Sequence, residues 1–135
     1  MNADDIQDFD RDTRFRQLRW SLQALAQAAP NQLLLFGEQQ ATADVLALDF
    51  TNAAAAVTGE WDETLTPVQR QALAAIDGKL NAMSRDGAEF DADLWTDSAV
   101  LHSEHWAEVR RLAGDALSAF DWATGPTPAE EESNV

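Results

Sequence analysis

The sequence has no cysteine, a single lysine and no long run of apolar residues. Without cysteine the chain can form neither a disulfide nor a thiolate metal site, and nothing in it indicates an oxidising compartment. A membrane-spanning helix needs roughly 18–20 apolar residues in succession, and no stretch approaches that length. Residues 1–17 are polar and acidic, unlike a secretory signal. We therefore expect a soluble, cytoplasmic protein.

Positive charge is also scarce. Nine Lys and Arg residues stand against 24 Asp and Glu, which gives a formal net charge of −15 at pH 7. Like charge repels such a chain from nucleic acid and from anionic membranes, so direct binding to either is not expected. Two explanations of the acidity stay open. It can serve recognition of a basic partner, or it can reflect a GC-rich genome or a salt-loving source in which acidic surface keeps proteins soluble.

Glycine and proline are few, and they divide the chain into pieces of helical rather than strand length. The alternation of apolar and polar residues that is typical of strands is missing. The sequence therefore predicts an all-α fold, a compact helical bundle of four main helices plus one short helix. The main helices are expected at residues 8–29 and 38–58 and after caps at Thr66 and Ser103, and the short helix within residues 90–101.

Two other segments are predicted not to be helical. "PNQLLLFG", residues 30–37, is expected to be an apolar link packed against the core. "TGPTPAEEESNV", residues 124–135, has proline and charge and almost nothing to bury, so we expect a disordered acidic tail. Residues 1–123 are expected to form one domain.

The third helix has the clearest start signal, "TPVQ". Thr66 is placed to cap the helix, Pro67 to begin it, and Gln69 to complete a capping box that satisfies two backbone donors. Gly87 is expected to close the helix. Its predicted buried stripe comprises Val68, Leu73, Ile76, Leu80 and Met83.

Both histidines lie in one short motif, "HSEH", as His102 and His105. Helical zinc sites place two histidines four residues apart beside a glutamate, and di-iron bundles use two Glu-x-x-His motifs on facing helices. Neither pattern is present. If Ser103 caps the last helix, His102 precedes that helix and His105 lies in its first turn. We therefore predict that the protein binds no metal and no cofactor. The candidate ligands, if a metal did bind, are His102 and His105.

Two carboxylate pairs suggest an alternative function. Glu60 with Glu63 and Asp86 with Glu89 have the i,i+3 spacing with which all-α nucleotide pyrophosphohydrolases hold Mg²⁺ on two helices. Here both pairs fall in predicted loops, and no glycine-rich phosphate loop or lysine clamp accompanies them. A metal-dependent nucleotide phosphohydrolase thus requires that these four side chains converge.

Templates for covalent catalysis are missing as well. There is no cysteine and no Gly-x-Ser-x-Gly motif, and the two histidines are sequence neighbours rather than partners of a distant nucleophile. We therefore predict that the protein is not an enzyme.

Acidic residues form two long stretches without Lys or Arg, between Arg19 and Arg70 and between Arg85 and Arg110. Such stretches can build a negative face that speeds the approach of a basic partner. Trp61, within "EWDET", would anchor an interface if exposed; alternatively, it folds back over the end of the bundle. The predicted partner-binding residues are Glu60, Trp61, Asp62, Glu63, Asp86, Glu89, Asp91 and Asp93.

The functional hypothesis is a non-enzymatic, acidic helical protein that binds a basic protein. An immunity or antitoxin protein that masks a nuclease would fit this description, as would a mimic of nucleic-acid charge. The phosphohydrolase and a halophilic domain with no charge-based partner are the alternatives. Neither the identity of a partner nor the oligomeric state follows from the sequence.

Overall fold

A computed structural model of the chain describes residues 3–36, 42–84 and 86–123, whose regular structure is helical throughout. The prediction of an all-α bundle is confirmed, and α1, α3, α4 and α6 are its four long helices. The α-helices are α1 (Ala3–Ala26), α2 (Ala29–Phe36), α3 (Thr42–Trp61), α4 (Pro67–Met83), α5 (Asp97–His102) and α6 (Glu104–Ala119), and 3₁₀ turns span Asp62–Thr64 and Ala92–Trp95. The predicted tail at 124–135 and the predicted helix start at residue 38 lie outside the described residues.

Several helix boundaries differ from the predicted ones. The expected apolar link is itself a helix, α2, because Pro30 lies in its first turn, where the missing N–H leaves no helical bond unmade. Gly59 does not end α3, which continues to Trp61. The expected short helix at 90–101 is divided into a 3₁₀ turn and α5, because Thr96 stops the first and caps the second by accepting a hydrogen bond from the Ala99 amide.

The start of α4 is as predicted. The Gln69 amide donates to Thr66 Oγ1 at 3.1 Å and the Thr66 amide donates to Gln69 Oε1 at 3.0 Å, which completes the capping box. Leu73, Ile76, Leu80 and Met83 are buried, but Val68 is 64% exposed. At 3.6 residues per turn, Val68 lies about 100° around the helix from the centre of that stripe. The helix ends at Met83, before the expected stop at Gly87.

The bundle consists of two antiparallel helix pairs. In the first pair, the ring of Phe15 in the middle of α1 lies 6.4 Å from the ring of Trp61 at the end of α3, and Ser21, later in α1, lines a cleft with Ala53, earlier in α3. In the second pair, Gln69 at the start of α4 donates to the carbonyl of Ala119 at the end of α6 at 3.2 Å. The pairs join because α1 also packs against α6.

Large apolar side chains from all four long helices fill the space between the pairs, with Trp106 of α6 fully buried among them. Each such side chain contributes about 1.5–3 kcal/mol when it is removed from water. The large apolar side chains with the least exposure are Leu18, Leu22, Leu25, Leu46, Phe50, Val57, Ile76, Met83, Val100, Trp106, Val109 and Leu117.

One side of the bundle is open, because α3 and α4 make little contact with each other. A groove of about 360 Å³ lies between them, and small residues such as Ala54 and Ala55 of α3 face Leu73 and Ala74 of α4 across it. Among the described helices, none combines the length and the apolar character that a membrane span requires.

A buried polar contact fixes α2 against the bundle. Gln32 is fully buried, and its Nε2 donates to the carbonyls of Ala24 and Leu25, at 3.1 and 2.9 Å, at the end of α1. Its Oε1 accepts a hydrogen bond from Arg110 of α6 at 3.1 Å, and Arg110 also donates to the Val100 carbonyl of α5 at 3.0 Å. Gln32 thus satisfies carbonyls at the end of α1, where a helix leaves its last carbonyls without helical partners, and together with Arg110 it links four helices.

We predict that Gln32→Ala lowers the free energy of unfolding by about 3 kcal/mol, because it leaves the buried Leu25 carbonyl and one guanidinium N–H of Arg110 without their partner and removes one of the two donors to the Ala24 carbonyl. Gln71→Ala is the matched control: Gln71 lies exposed on α4, and its loss should change stability by less than about 0.5 kcal/mol. Urea unfolding followed by circular dichroism measures both. Equal, small effects would show that the Gln32 network is dispensable.

Candidate functional site

The eight predicted partner-binding residues divide into two groups. Glu60 to Glu63 lie at the end of α3 and in the following 3₁₀ turn, immediately before α4, whereas Asp86 to Asp93 follow α4. Because α4 has 17 residues, the two groups are separated by about 25 Å of helix. The carboxylate pairs required for the phosphohydrolase therefore do not converge, and the predicted acidic residues do not form one patch.

The first group is partly engaged within the protein. Trp61 is half-buried, with its ring packed against Phe15, so it covers this end of the bundle. Asp62 Oδ2 lies 3.4 Å from an Arg70 guanidinium nitrogen in an exposed ion pair. Exposed pairs of this kind contribute at most about 1 kcal/mol. Of this group, Glu60 and Glu63 remain as exposed acids.

The second group belongs to a continuous acidic segment, residues 86–97, in which every acidic side chain is exposed. At its centre, Phe90 is 43% exposed, and it is the one aromatic residue among the exposed large apolar side chains of the described residues. The acids of this acidic segment are Asp86, Glu89, Asp91, Asp93 and Asp97. The structure thus places an aromatic ring among side chains of one charge.

A tight turn leads from α4 into the acidic segment. The amides of Gly87 and Glu89 donate to the carbonyls of Ser84 and Ala82, each at 2.8 Å. Asp86 has a positive φ of 73°, a conformation that Asp tolerates better than most residues. A Cβ at Gly87 would collide with the carbonyls of the last turn of α4, so glycine is required there.

Two tryptophans hold the rest of the acidic segment against the core. The indole N–H of Trp95 donates to the Met83 carbonyl at 3.0 Å, and that of Trp106 donates to the Leu94 carbonyl at 2.7 Å. The two rings meet edge to face at a centroid distance of 5.6 Å, a favourable aromatic geometry. The exposed acids therefore stand on a backbone that is fixed at several points.

The chain's single lysine, Lys79 of α4, also holds the acidic segment. Its Nζ lies 3.0 Å from Glu89 Oε1, 3.3 Å from Glu108 Oε2 and 2.9 Å from His105 Nδ1, and its side chain is only 9% exposed. Burial opposes the charged form of Lys79, but the hydrogen bonds and charges of both glutamates outweigh burial and raise its pKa. The hydrogen bond from Lys79 in turn lowers the pKa of Glu89.

The histidines lie as the helix caps predict. His102 is the last residue of α5, and Ser103 caps α6 by accepting a hydrogen bond from the His105 amide at 3.1 Å. An ammonium group has no acceptor, so the Lys79 contact uses His105 Nδ1 as the acceptor. Lys79 Nζ stands where a cation between His105 and the two glutamates would stand. Within residues 3–36, 42–84 and 86–123, no three His, Asp or Glu side chains are grouped for metal binding.

Two residues of this site, Phe90 and Lys79, are not among the predicted ones. A signal for each exists in the sequence. Phe90 is the single large apolar residue within "AEFDAD", and Lys79 is the single lysine in a chain with many acids. Neither signal reveals that Lys79 binds Glu89, the residue that precedes Phe90.

Comparisons with protein-family models, with curated proteins and with solved structures found no match to this chain. No function is therefore transferred from a relative. What the chain can do has to be inferred from its own side chains.

We predict that Lys79→Met lowers the melting temperature at neutral pH, because Glu89 and Glu108 lose the ammonium between them. Glu89 has a pKa below its ordinary value of 4.5, so its share of the stabilisation is present above that pH and is lost as the pH falls through the lowered pKa. The gap between wild type and variant should therefore close in acid. Thermal unfolding of both proteins, from neutral pH to below pH 4.5, measures this difference in melting temperature.

Arg70→Met is the matched control for the Lys79 variant, since it removes a cation from an exposed pair and should change the melting temperature little at any pH. A gap for Lys79→Met that persists unchanged in acid would show that packing, and not the ion pairs, accounts for its effect.

Proposed function

We propose that this chain is a non-enzymatic binding protein that docks a basic protein partner through the acidic segment, with Phe90 as the central contact. The observation that carries this proposal is an exposed aromatic ring among five exposed acids on a segment held by the core. Only Glu89 of these acids is paired with a cation among the described residues. The others are available to a partner's Lys and Arg side chains.

The fixed backbone supports this role because binding is weakened by the entropy of ordering a loop. The turn at Gly87, the indole hydrogen bonds and Lys79 hold the acidic segment before any partner arrives. A partner would therefore meet acids that are already in position. Pre-organisation of this kind raises affinity without adding contacts.

The aromatic ring and the carboxylates are expected to contribute to binding in different ways. Aromatic side chains near the centre of an interface account for much of its affinity, whereas charges at the rim mainly raise the association rate and select partners of opposite charge. In the proposed interface, Phe90 is the central aromatic contact, and the surrounding Asp side chains are the charges at the rim. A nuclease-masking protein or a mimic of nucleic-acid charge would use its acids in this way.

The acids at the far end of α4 are not part of the proposed docking site. Glu60 and Glu63 are separated from the acidic segment by about 25 Å of helix, well beyond the Debye length of about 8 Å at physiological salt. The proposal therefore retains Asp86, Glu89, Asp91 and Asp93 of the predicted residues and replaces Trp61 by Phe90.

Salt separates partner binding from a halophilic surface. If the acidic segment docks a basic partner, raising ionic strength should slow association steeply, and the free protein should be stable in dilute buffer. If the acids instead serve a halophilic surface, molar salt should raise the melting temperature markedly, because it screens the self-repulsion of the net charge. Melting temperature against salt, beside stopped-flow association with a partner retrieved from source lysate, distinguishes the two.

Substitution tests the location. Asp91→Asn with Asp93→Asn should abolish retrieval of the basic partner. The carboxamide oxygen introduced at position 91 can still cap the following 3₁₀ turn as the carboxylate does, so the backbone should keep its course. Glu60→Gln with Glu63→Gln removes the same charge from the other end of α4 and should retain the partner. Equal losses for both double variants would indicate net charge alone and refute the docking site.

Phe90→Ala should weaken partner affinity by about 2 kcal/mol or more, roughly thirtyfold, while the melting temperature changes little because the ring is 43% exposed. Isothermal titration calorimetry with the retrieved partner measures the affinity. Trp61→Ala is the comparison. Because the Trp61 ring packs against Phe15, this variant should have a lower melting temperature and an unchanged affinity for the partner. An unchanged affinity for Phe90→Ala would remove the ring from the interface.

A further inference from the structure

An open cleft of about 310 Å³ lies between α1 and α3, away from the acidic segment. It exists because small side chains meet on this side of the antiparallel pair: Ser21 and Ala53, both buried, form its floor. Its volume is at the lower end of the range for small-molecule sites in proteins, about 300–1,000 Å³. The walls are formed by Arg14, Gln17, Trp20, Asp49 and Asn52.

Asp49 has an unusual setting within this cleft. It is partly buried, and that burial raises the pKa of its carboxyl group. Over the described ranges 3–36, 42–84 and 86–123, neither Asp49 nor Asn52, one turn further along α3, has a side-chain hydrogen bond or ion pair. Two acceptor groups on one face of α3 are thus left to a ligand.

Arg14, the positively charged residue in the wall of the cleft, is engaged elsewhere. Arg14 Nε lies 3.6 Å from Asp10 Oδ1, and its NH1 donates to Gln17 Oε1 at 3.4 Å. The guanidinium of Arg14 therefore stands at the wall of the cleft without neutralising Asp49. A cation that entered the cleft would meet a partly desolvated carboxylate, where electrostatic attraction exceeds that in bulk water.

The indole of Trp20 also lines the cleft. Tryptophan binds cations over its ring more strongly than other aromatic residues, and it offers apolar surface to the body of an organic ligand. A carboxylate beside an indole is a combination suited to an organic ammonium ion rather than to a metal ion, which would need further oxygen or nitrogen ligands.

From this geometry we propose that the α1–α3 cleft binds a small organic cation, with a primary ammonium group at Asp49 and Asn52 and the body of the molecule against Trp20. This site is independent of the acidic segment, since it uses α1 and α3 alone. Its ligand class is a small primary amine. Failure of either proposal leaves the other standing.

The probe is 2-phenylethylamine, titrated into ¹⁵N-labelled protein at physiological ionic strength and followed by nuclear magnetic resonance. We expect saturable chemical-shift changes at Asp49, Asn52 and the Trp20 indole. The neutral analogue 2-phenylethanol, which has the same ring and no charge, should bind at least tenfold more weakly.

Asp49→Asn should weaken binding of the amine at least tenfold. It should not impair folding, because a carboxyl group whose pKa is raised by burial destabilises the fold when ionised, and its removal leaves the melting temperature unchanged or higher. Asp44→Asn is the matched control: it removes the same charge from an exposed position of α3 outside the cleft and should leave affinity within twofold.

Trp20→Phe should weaken binding severalfold while it keeps an aromatic ring in place. Shift changes spread over the acidic surface, or equal losses for Asp49→Asn and Asp44→Asn, would mean that the amine is attracted by net charge and would overturn the proposal. Equal binding of amine and alcohol would overturn it as well.

Discussion

The buried carboxamide of Gln32 is the contact on which the arrangement of the helices around α2 depends. It closes the carbonyl end of α1 and accepts a hydrogen bond from Arg110, which in turn holds the last turn of α5. Burial lowers the pKa of Arg110, and its hydrogen-bond partners are neutral. A guanidinium in that position is tolerated because it donates hydrogen bonds to two oxygens, and because the net charge of the protein is strongly negative.

Local chemistry explains which parts of the fold could be predicted. The capping box at Thr66 and the cap at Ser103 involve residues within three positions of each other, so their sequence signals correspond directly to structure. The helical structure of α2 was not predictable in this way, since a proline such as Pro30 can either end one helix or begin the next. Its burial rests on Gln32, whose partner Arg110 lies 78 positions away.

The candidate site was predictable in composition but not in shape. The acids between Arg85 and Arg110 are evident from the sequence, whereas their separation from Glu60 and Glu63 depends on the direction and length of α4. The exposure of Phe90 depends on which neighbours bury Leu94 and Trp95 instead. The ion pairs of Lys79 could not be predicted from the sequence either, because its partners lie in the turn after α4 and in α6.

The open groove between α3 and α4 affects the order in which the helices unfold. Because α4 packs mainly against α6, whereas α1 packs against both α3 and α6, α4 is a natural unit of sub-global unfolding. The acidic segment is bonded to the last turn of α4 through the carbonyls of Ala82 and Met83. Any molecule that binds the segment would therefore slow amide exchange along the whole of α4, well beyond the surface that it touches.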